Sequence, residues 1–219
     1  MTDHSLSGKT VLITGGAKNL GRLVARDLAS HGAGRIVVHY HSPTDAQAAQ
    51  DTLAEIEKHG AQGFALQADL TQPGAVAALF TQAITLAGAP DIAINTVGKV
   101  LKKPILDTTD EEYEAMFAVN TRVAFQFIRE AGRHLNDNGK LLTLVTSLLG
   151  AYTPFYATYA GAKASVEHFT RAASKEFGAR GISVNAIGPG PMALTRIRLG
   201  ASASARVRVS VHRADFDTV

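Results

Sequence analysis

Cysteine is absent from the 219 residues, so neither disulfides nor thiolate-bound metals can staple this fold or carry its chemistry. Charge is sparse as well. Asp, Glu, Lys and Arg make up 19% of the chain against 46% hydrophobic residues, which excludes a charge-solvated disordered segment and fits a folded globule. No apolar run is long enough to span a bilayer, and the opening MTDHSLSGKT lacks the apolar core of a secretion leader; a cytoplasmic protein without a membrane partner is expected. The formal charge of +3 is unevenly placed. Residues 193–219 hold five arginines and two aspartates, leaving 17 basic and 17 acidic residues in 1–192. A neutral body with a basic tail argues against a nucleic-acid partner. The length suits one α/β domain with a large core.

The most informative stretch is Val11–Arg22, VLITGGAKNLGR. Val11, Leu12 and Ile13 form the apolar, partly β-branched run of a buried parallel strand. Gly15, Gly16 and Ala17 allow a sharp turn and close ligand approach. From about Asn19 the spacing of Leu20, Leu23, Val24, Asp27 and Leu28 is helical. A strand, a glycine-rich turn and a helix N-terminus together can aim backbone N–H groups and a helix dipole at phosphate. Such a turn is equally often an ordinary tight connection, so it does not decide the function alone.

Strands and helices then alternate. Arg35–Tyr40 reads as strand two, and Thr44 as the cap of a helix to about His59. Strand three is Gly63–Gln67. Thr71 and Pro73 are expected to open a helix through Ala87. Strand four is Asp91–Asn95, followed by a loop with Lys99, Lys102 and Lys103. Thr109 with Asp110, Glu111 and Glu112 marks a helix start, and that helix reaches about Leu135. Lys140–Thr146 is strand five, 156–179 a long helix, and Ile182–Ala186 strand six, closed by Gly188-Pro189-Gly190-Pro191. This alternation predicts right-handed βαβ units: a Rossmann-like, doubly wound parallel sheet of six strands with helices on both faces.

Thr14-Gly15-Gly16-Ala17-Lys18-Asn19-Leu20-Gly21 resembles the TGxxxGxG turn of the short-chain dehydrogenase/reductase family, and the likeness runs over residues 7–192. Asn19 stands where the family has its middle glycine; Asn tolerates left-handed backbone better than other non-Gly residues. In such folds an acid ending strand two binds the adenosine 2′-hydroxyl and repels a 2′-phosphate. Here His39-Tyr40-His41-Ser42 occupies that place, with no carboxylate before Asp45, and Lys18 adds a cation. The local charge favours NADP(H) over NAD(H). The resemblance further implies cofactor contacts from Asp69 and Leu70, from Asn95 and Gly98 within Asn95-Thr96-Val97-Gly98, and from Pro189 and Gly190. Asp69 could instead cap the next helix, and Lys18 and the three loop lysines could be plain solvated side chains.

Asn120, Ser147, Tyr159 and Lys163 carry the chemical signal. Tyr159 and Lys163 lie four apart on a helix and share a face, about 6 Å apart at Cβ. A phenol ionises near pH 10; a nearby ammonium and a nicotinium ring would lower that, letting Tyr159 exchange a proton with a carbonyl oxygen as hydride moves. Ser147, at the end of strand five, would orient that oxygen. By resemblance, Lys163 also binds the nicotinamide ribose and Asn120 holds a water linking Lys163 to solvent. Tyr156, two turns from Lys163, is expected in the pocket wall.

Beyond Met192 the likeness ends in an atypical or truncated C-terminus. Residues 193–219 read either as a tail foreign to the fold or as an edge strand, since Val207, Val209 and Val211 alternate with polar neighbours. That strand would stand in for the family's seventh. The expected activity is NADP(H)-dependent interconversion of a carbonyl and a secondary alcohol; the alternative is a catalytically impaired dinucleotide-binding protein. By resemblance, a homodimer forms through the helices near 109–135 and 156–179, acting on a small-molecule substrate that no residue identifies.

Overall fold

Alternate residues of the first strand face opposite sides of the sheet, and both sides are covered. In the computed structural model, which describes residues 5–190 and the backbone of Arg208–Ser210, β1 is Thr10–Thr14. Val11 and Ile13 pack towards α1 (Asn19–Ser30) and α2 (Ala46–Glu57), with Ala25, Ala29 and Ile56. Leu12 packs on the opposite face against α3 (Ala75–Ala87) and α5 (Val123–His134), with Leu79, Phe80 and Phe127. Strands buried on both faces are apolar throughout, as the VLI run implies.

The other strands are β2 (Arg35–Tyr40), β3 (Gln62–Gln67), β4 (Ile92–Asn95), β5 (Lys140–Leu144) and β6 (Ser183–Gly188), all parallel in the order β3-β2-β1-β4-β5-β6. This is the doubly wound order, and its switch point lies between β1 and β4. β7 (Arg208–Ser210) adds antiparallel to β6, pairing Ile187 with Val209. Thus a short antiparallel piece of the tail covers part of the β6 edge. The rest of the 193–219 segment, including Val207 and Val211, and also Pro191 and Met192, lie outside the described residues.

Several element starts differ from expectation for local reasons. Ser42, not Thr44, is the cap: its hydroxyl accepts from the Thr44 N–H and closes a single turn at Pro43–Asp45 before α2. Gly74, at φ 77°, delays α3 to Ala75. Thr109 and Glu112 form the reciprocal cap of α4 (Asp110–Phe117). The helix expected over 109–135 is not regular. Over Ala118–Arg122 its ladder widens to i→i+5 hydrogen bonds before continuing as α5, a distortion that often marks functional sites. Thr121, in that widened turn, donates to the Ala162 carbonyl of α6 (Ala157–Glu176) at 3.0 Å. No described helix is long and apolar enough to cross a membrane.

Candidate active site

The turn after β1 is built on glycine for steric reasons. Gly15 sits at φ 69°, and a Cβ there would lie 2.7 Å from the Thr96 hydroxyl. At Gly21 a Cβ would run into the Gly15 carbonyl. Asn19 adopts φ 51°, the left-handed conformation expected of a glycine substitute. These contacts let the first turn of α1 close against the loop. Asn19, Leu20 and Gly21 of that turn line a cavity of about 1020 Å³ at the carboxyl ends of the strands.

His39 buttresses the loop. It is 2% exposed; its Nδ1 accepts from the Gly15 N–H at 3.2 Å, and its Nε2 lies 2.9 Å from the Ala68 carbonyl. An amide donor on Nδ1 leaves the proton on Nε2, which donates to Ala68. Burial pushes the His39 pKa below its ordinary value, outweighing the Ala68 bond and the Asp69 charge, with His41 adding to the lowering. The side chain is therefore a neutral strut rather than a cation for phosphate. The unfolded chain takes up this proton near pH 6.5 and the folded chain at lower pH. Stability from His39 is thus complete above 6.5 and lost as pH falls through the folded value. Losing the Gly15 bond costs about 1 kcal/mol, or about 3 °C in Tm at this size. Between pH 7 and 5 wild type should lose that much more Tm than His39→Asn, whose amide oxygen can keep the Gly15 bond without titrating; equal slopes would refute the strut.

The other residues expected at the adenosine end divide. Lys18 lines the cavity but is paired with Asp45 at 2.6 Å, a carboxylate that the fold brings up to the turn from Pro43–Asp45. Tyr40, His41 and Leu70 line the cavity. Asp69 also lines it, its carboxylate held by the Thr71 N–H, the Thr71 hydroxyl and the Gln72 amide, which draw its pKa down to about 2. It closes the connection before α3 rather than capping the helix. Two expectations are corrected. Ser42 is occupied with its own turn and lies off the cavity wall. Asn95 is 2% exposed, and its Oδ1 accepts from Thr14 and from the Val97 N–H, tying β1 to the end of β4. It serves the wall from behind.

At the opposite end, Ser147, Tyr159 and Lys163 reach the same cavity, with Gly98, Pro189 and Gly190. Lys163 is 3% exposed and its Nζ donates to the Leu144 carbonyl at 2.8 Å; burial lowers its pKa to about 8. Burial raises the Tyr159 phenol above its ordinary value, and its bond to the Thr146 hydroxyl opposes that only in part. In the protein alone desolvation prevails; the expected lowering also counts a bound nicotinium ring. The Ser147 N–H donates to the Pro189 carbonyl at 3.0 Å, fixing the loop after β6 beside it. Asn120 is fully buried in the widened turn; its Nδ2 donates to the carbonyls of Lys99 and Met116, and its Oδ1 accepts from the Lys99 N–H. Gly98 leaves a space shared by Asn120 and Lys163: a Cβ there would lie 2.9 Å from Oδ1 and 3.1 Å from Nζ.

A family model described as "Enoyl-(Acyl carrier protein) reductase" matches residues 15–214. The chain belongs to the short-chain dehydrogenase/reductase family. As a short-chain dehydrogenase/reductase it is an oxidoreductase of the class acting on CH–OH and C=O groups. Among its relatives is a hydroxynaphthalene reductase-like protein, Arp2, of Metarhizium brunneum, 39% identical over 191 residues, covering 86% of this chain and 70% of that one. Among solved structures, a protein from Burkholderia cenocepacia described as a dehydrogenase with bound NADP is 58% identical, with a TM-score of 0.86 over 94% of this chain and 77% of the other. A blue fluorescent protein from a metagenomic library in complex with NADPH is 31% identical, with a TM-score of 0.82 over 86% and 76%. Two neighbours of the short-chain dehydrogenase/reductase site had no sequence signal of their own. Thr146 was overshadowed by the adjacent Ser147, and Asp45 reaches Lys18 only through the turn at Pro43.

Proposed function

We propose that the chain is an NADP(H)-dependent oxidoreductase moving hydride between nicotinamide and a carbonyl or secondary alcohol, with Tyr159 as general acid/base. The observation that carries this reading is that Ser147, Tyr159 and Lys163 line one cavity with the glycine turn and the start of α1. The residues present fit the dinucleotide: Gly15 and Gly21 let the turn close against α1, and no side chain caps the start of α1 where a diphosphate would sit. A reduced dinucleotide held by these residues would supply hydride for the carbonyl carbon. The chain's residues manage the oxygen. Ser147 donates a hydrogen bond to it, Tyr159 transfers its phenolic proton to it, and Lys163, anchored on Leu144, has two further N–H donors for the cofactor ribose and the phenol. Both Asn120 amide protons are committed, so its Oδ1, across the space at Gly98, is the atom that would hold a water near Lys163.

Lys18 and the lack of an acid at Tyr40 and His41 support the phosphorylated cofactor, as do the relatives crystallised with NADP and NADPH. Pairing with Asp45 weakens the Lys18 contribution. The preference is therefore expected to be moderate, about tenfold in Kd for NADPH over NADH, read by nucleotide fluorescence titration. NADH binding at least as tightly would reverse the assignment. Cofactor binding without any Tyr159-dependent turnover of ketones would leave a dinucleotide-binding protein instead. The same reading includes a cytoplasmic homodimer through α4–α5 and α6, where Phe125 stacks edge-on against Phe169 at 5.3 Å yet stays 46% exposed.

A further inference from the structure

The two loops at the substrate end of the cavity are clasped together. The Lys103 N–H donates to the Phe155 carbonyl at 2.7 Å, and the Lys103 ammonium grips both oxygens of Glu112 at 2.7 and 2.8 Å. Asn120 holds Lys99 by both its N–H and its carbonyl. The backbone that carries Lys99 and Lys102 is therefore fixed, while their side chains are exposed and neither forms an ion pair among the described residues. Lys99 lines the cavity beside Val100, and Lys102 lies 5.8 Å from the centre of the Tyr156 ring, itself part of the wall next to Tyr159. The acids that line the cavity, Asp45 and Asp69, sit at the adenosine end and are already engaged. So the mouth at the substrate end offers the Lys99 ammonium on the cavity wall, the Lys102 ammonium over one face of the Tyr156 ring, and aliphatic walls at Val100 and Leu148.

We propose that the substrate is an aromatic ketone or aldehyde bearing a separate acidic group, the ring lying against Tyr156 and the anion received by Lys99 and Lys102. This rests on the oxidoreductase reading and names its substrate class. A cation on a held backbone attracts an anion without the entropy of ordering a loop, and the attraction is screened by salt. Lys175 is the control, an exposed lysine in the last turn of α6 that does not line the cavity.

The test uses 4-acetylbenzoate, its methyl ester and the aliphatic acid 5-oxohexanoate with the full chain and NADPH. The expected kcat/KM for 4-acetylbenzoate exceeds that for the ester by at least tenfold, mainly through KM, and the excess shrinks between 0.05 and 0.5 M salt. Lys99→Gln and Lys102→Gln each reduce the acid-to-ester ratio about threefold to tenfold, and Lys175→Gln does not. An acid-to-ester ratio near one, or one that survives both substitutions, overturns the proposal; 5-oxohexanoate matching 4-acetylbenzoate overturns the aromatic part. Calorimetric binding of 4-acetylbenzoate to the NADP⁺-loaded protein separates the two readings. Lysine-dependent binding without reduction of any ketone defeats the redox reading and keeps the anion site. Neither binding nor reduction defeats the anion site, and ester reduction alone defeats it while keeping the redox reading.

Discussion

Tyr159→Phe should lower kcat for ketone reduction by about a thousandfold, within the range of a lost general acid, while the Kd for NADPH stays within a few-fold. Phenylalanine keeps the ring and its packing and removes only the hydroxyl, which is half-buried and bonded to Thr146. One hydrogen bond is worth about 1 kcal/mol, so Tm should move by no more than about 4 °C. The split between rate and stability is what identifies the role: a structural tyrosine would lose more Tm and less kcat. The pH behaviour follows from the same burial. With the phenol raised above its ordinary value, Tyr159 stays protonated and ready to donate through neutrality. Reduction should therefore be flat across neutral pH and fall as Lys163, brought to about 8, loses its charge. Oxidation of the alcohol, which needs the phenol to accept a proton, should rise with pH instead. Matching profiles in the two directions, or a kcat for Tyr159→Phe within tenfold of wild type, would reject Tyr159 as the acid.

The parts of the fold that were legible in the sequence are those fixed by local physics. β1 to β6 follow from apolar runs broken by helical spacing, and the cap at Thr109 follows from four consecutive residues. That Ser147, Tyr159 and Lys163 share a cavity was legible from their residue types and their places after β5 and along α6. What was not legible depends on contacts between distant segments. Asp45 meets Lys18 across 27 positions, and Asn95 turns inward because Thr14 offers it a hydroxyl. Nothing local to His39 shows that Gly15 and Ala68 consume both its ring nitrogens. The widened turn at Asn120 leaves no trace in hydrophobic periodicity either; it arises where α4 and α5 must carry that amide to the Lys99 backbone.

Gly21→Ala should abolish useful cofactor binding, raising the Kd for NADPH by at least about a hundredfold. The atoms that an added Cβ meets are all backbone: the Gly15 carbonyl oxygen, its carbon at 2.8 Å and the Gly16 Cα at 2.9 Å. No rotamer relieves such a clash, so either the turn opens or α1 moves outward. In both cases the first N–H groups of α1 lose the alignment that makes them an anion site, and Gly15 is pulled from His39. Overpacking of this kind costs about 1–3 kcal/mol, so Tm should fall by about 3–9 °C, and the variant should still fold. Gly161→Ala provides the contrast. It lies inside α6, where a Cβ comes no closer than 4.0 Å to Phe117, and helix propensity favours alanine there by about 0.5–1 kcal/mol. It should leave NADPH affinity alone and raise Tm slightly, showing that the loss at Gly21 reflects contact between turn and helix rather than a general cost of replacing glycine. If Gly21→Ala binds NADPH as wild type does, the diphosphate does not sit on this turn, and the cofactor orientation that places nicotinamide beside Tyr159 fails with it.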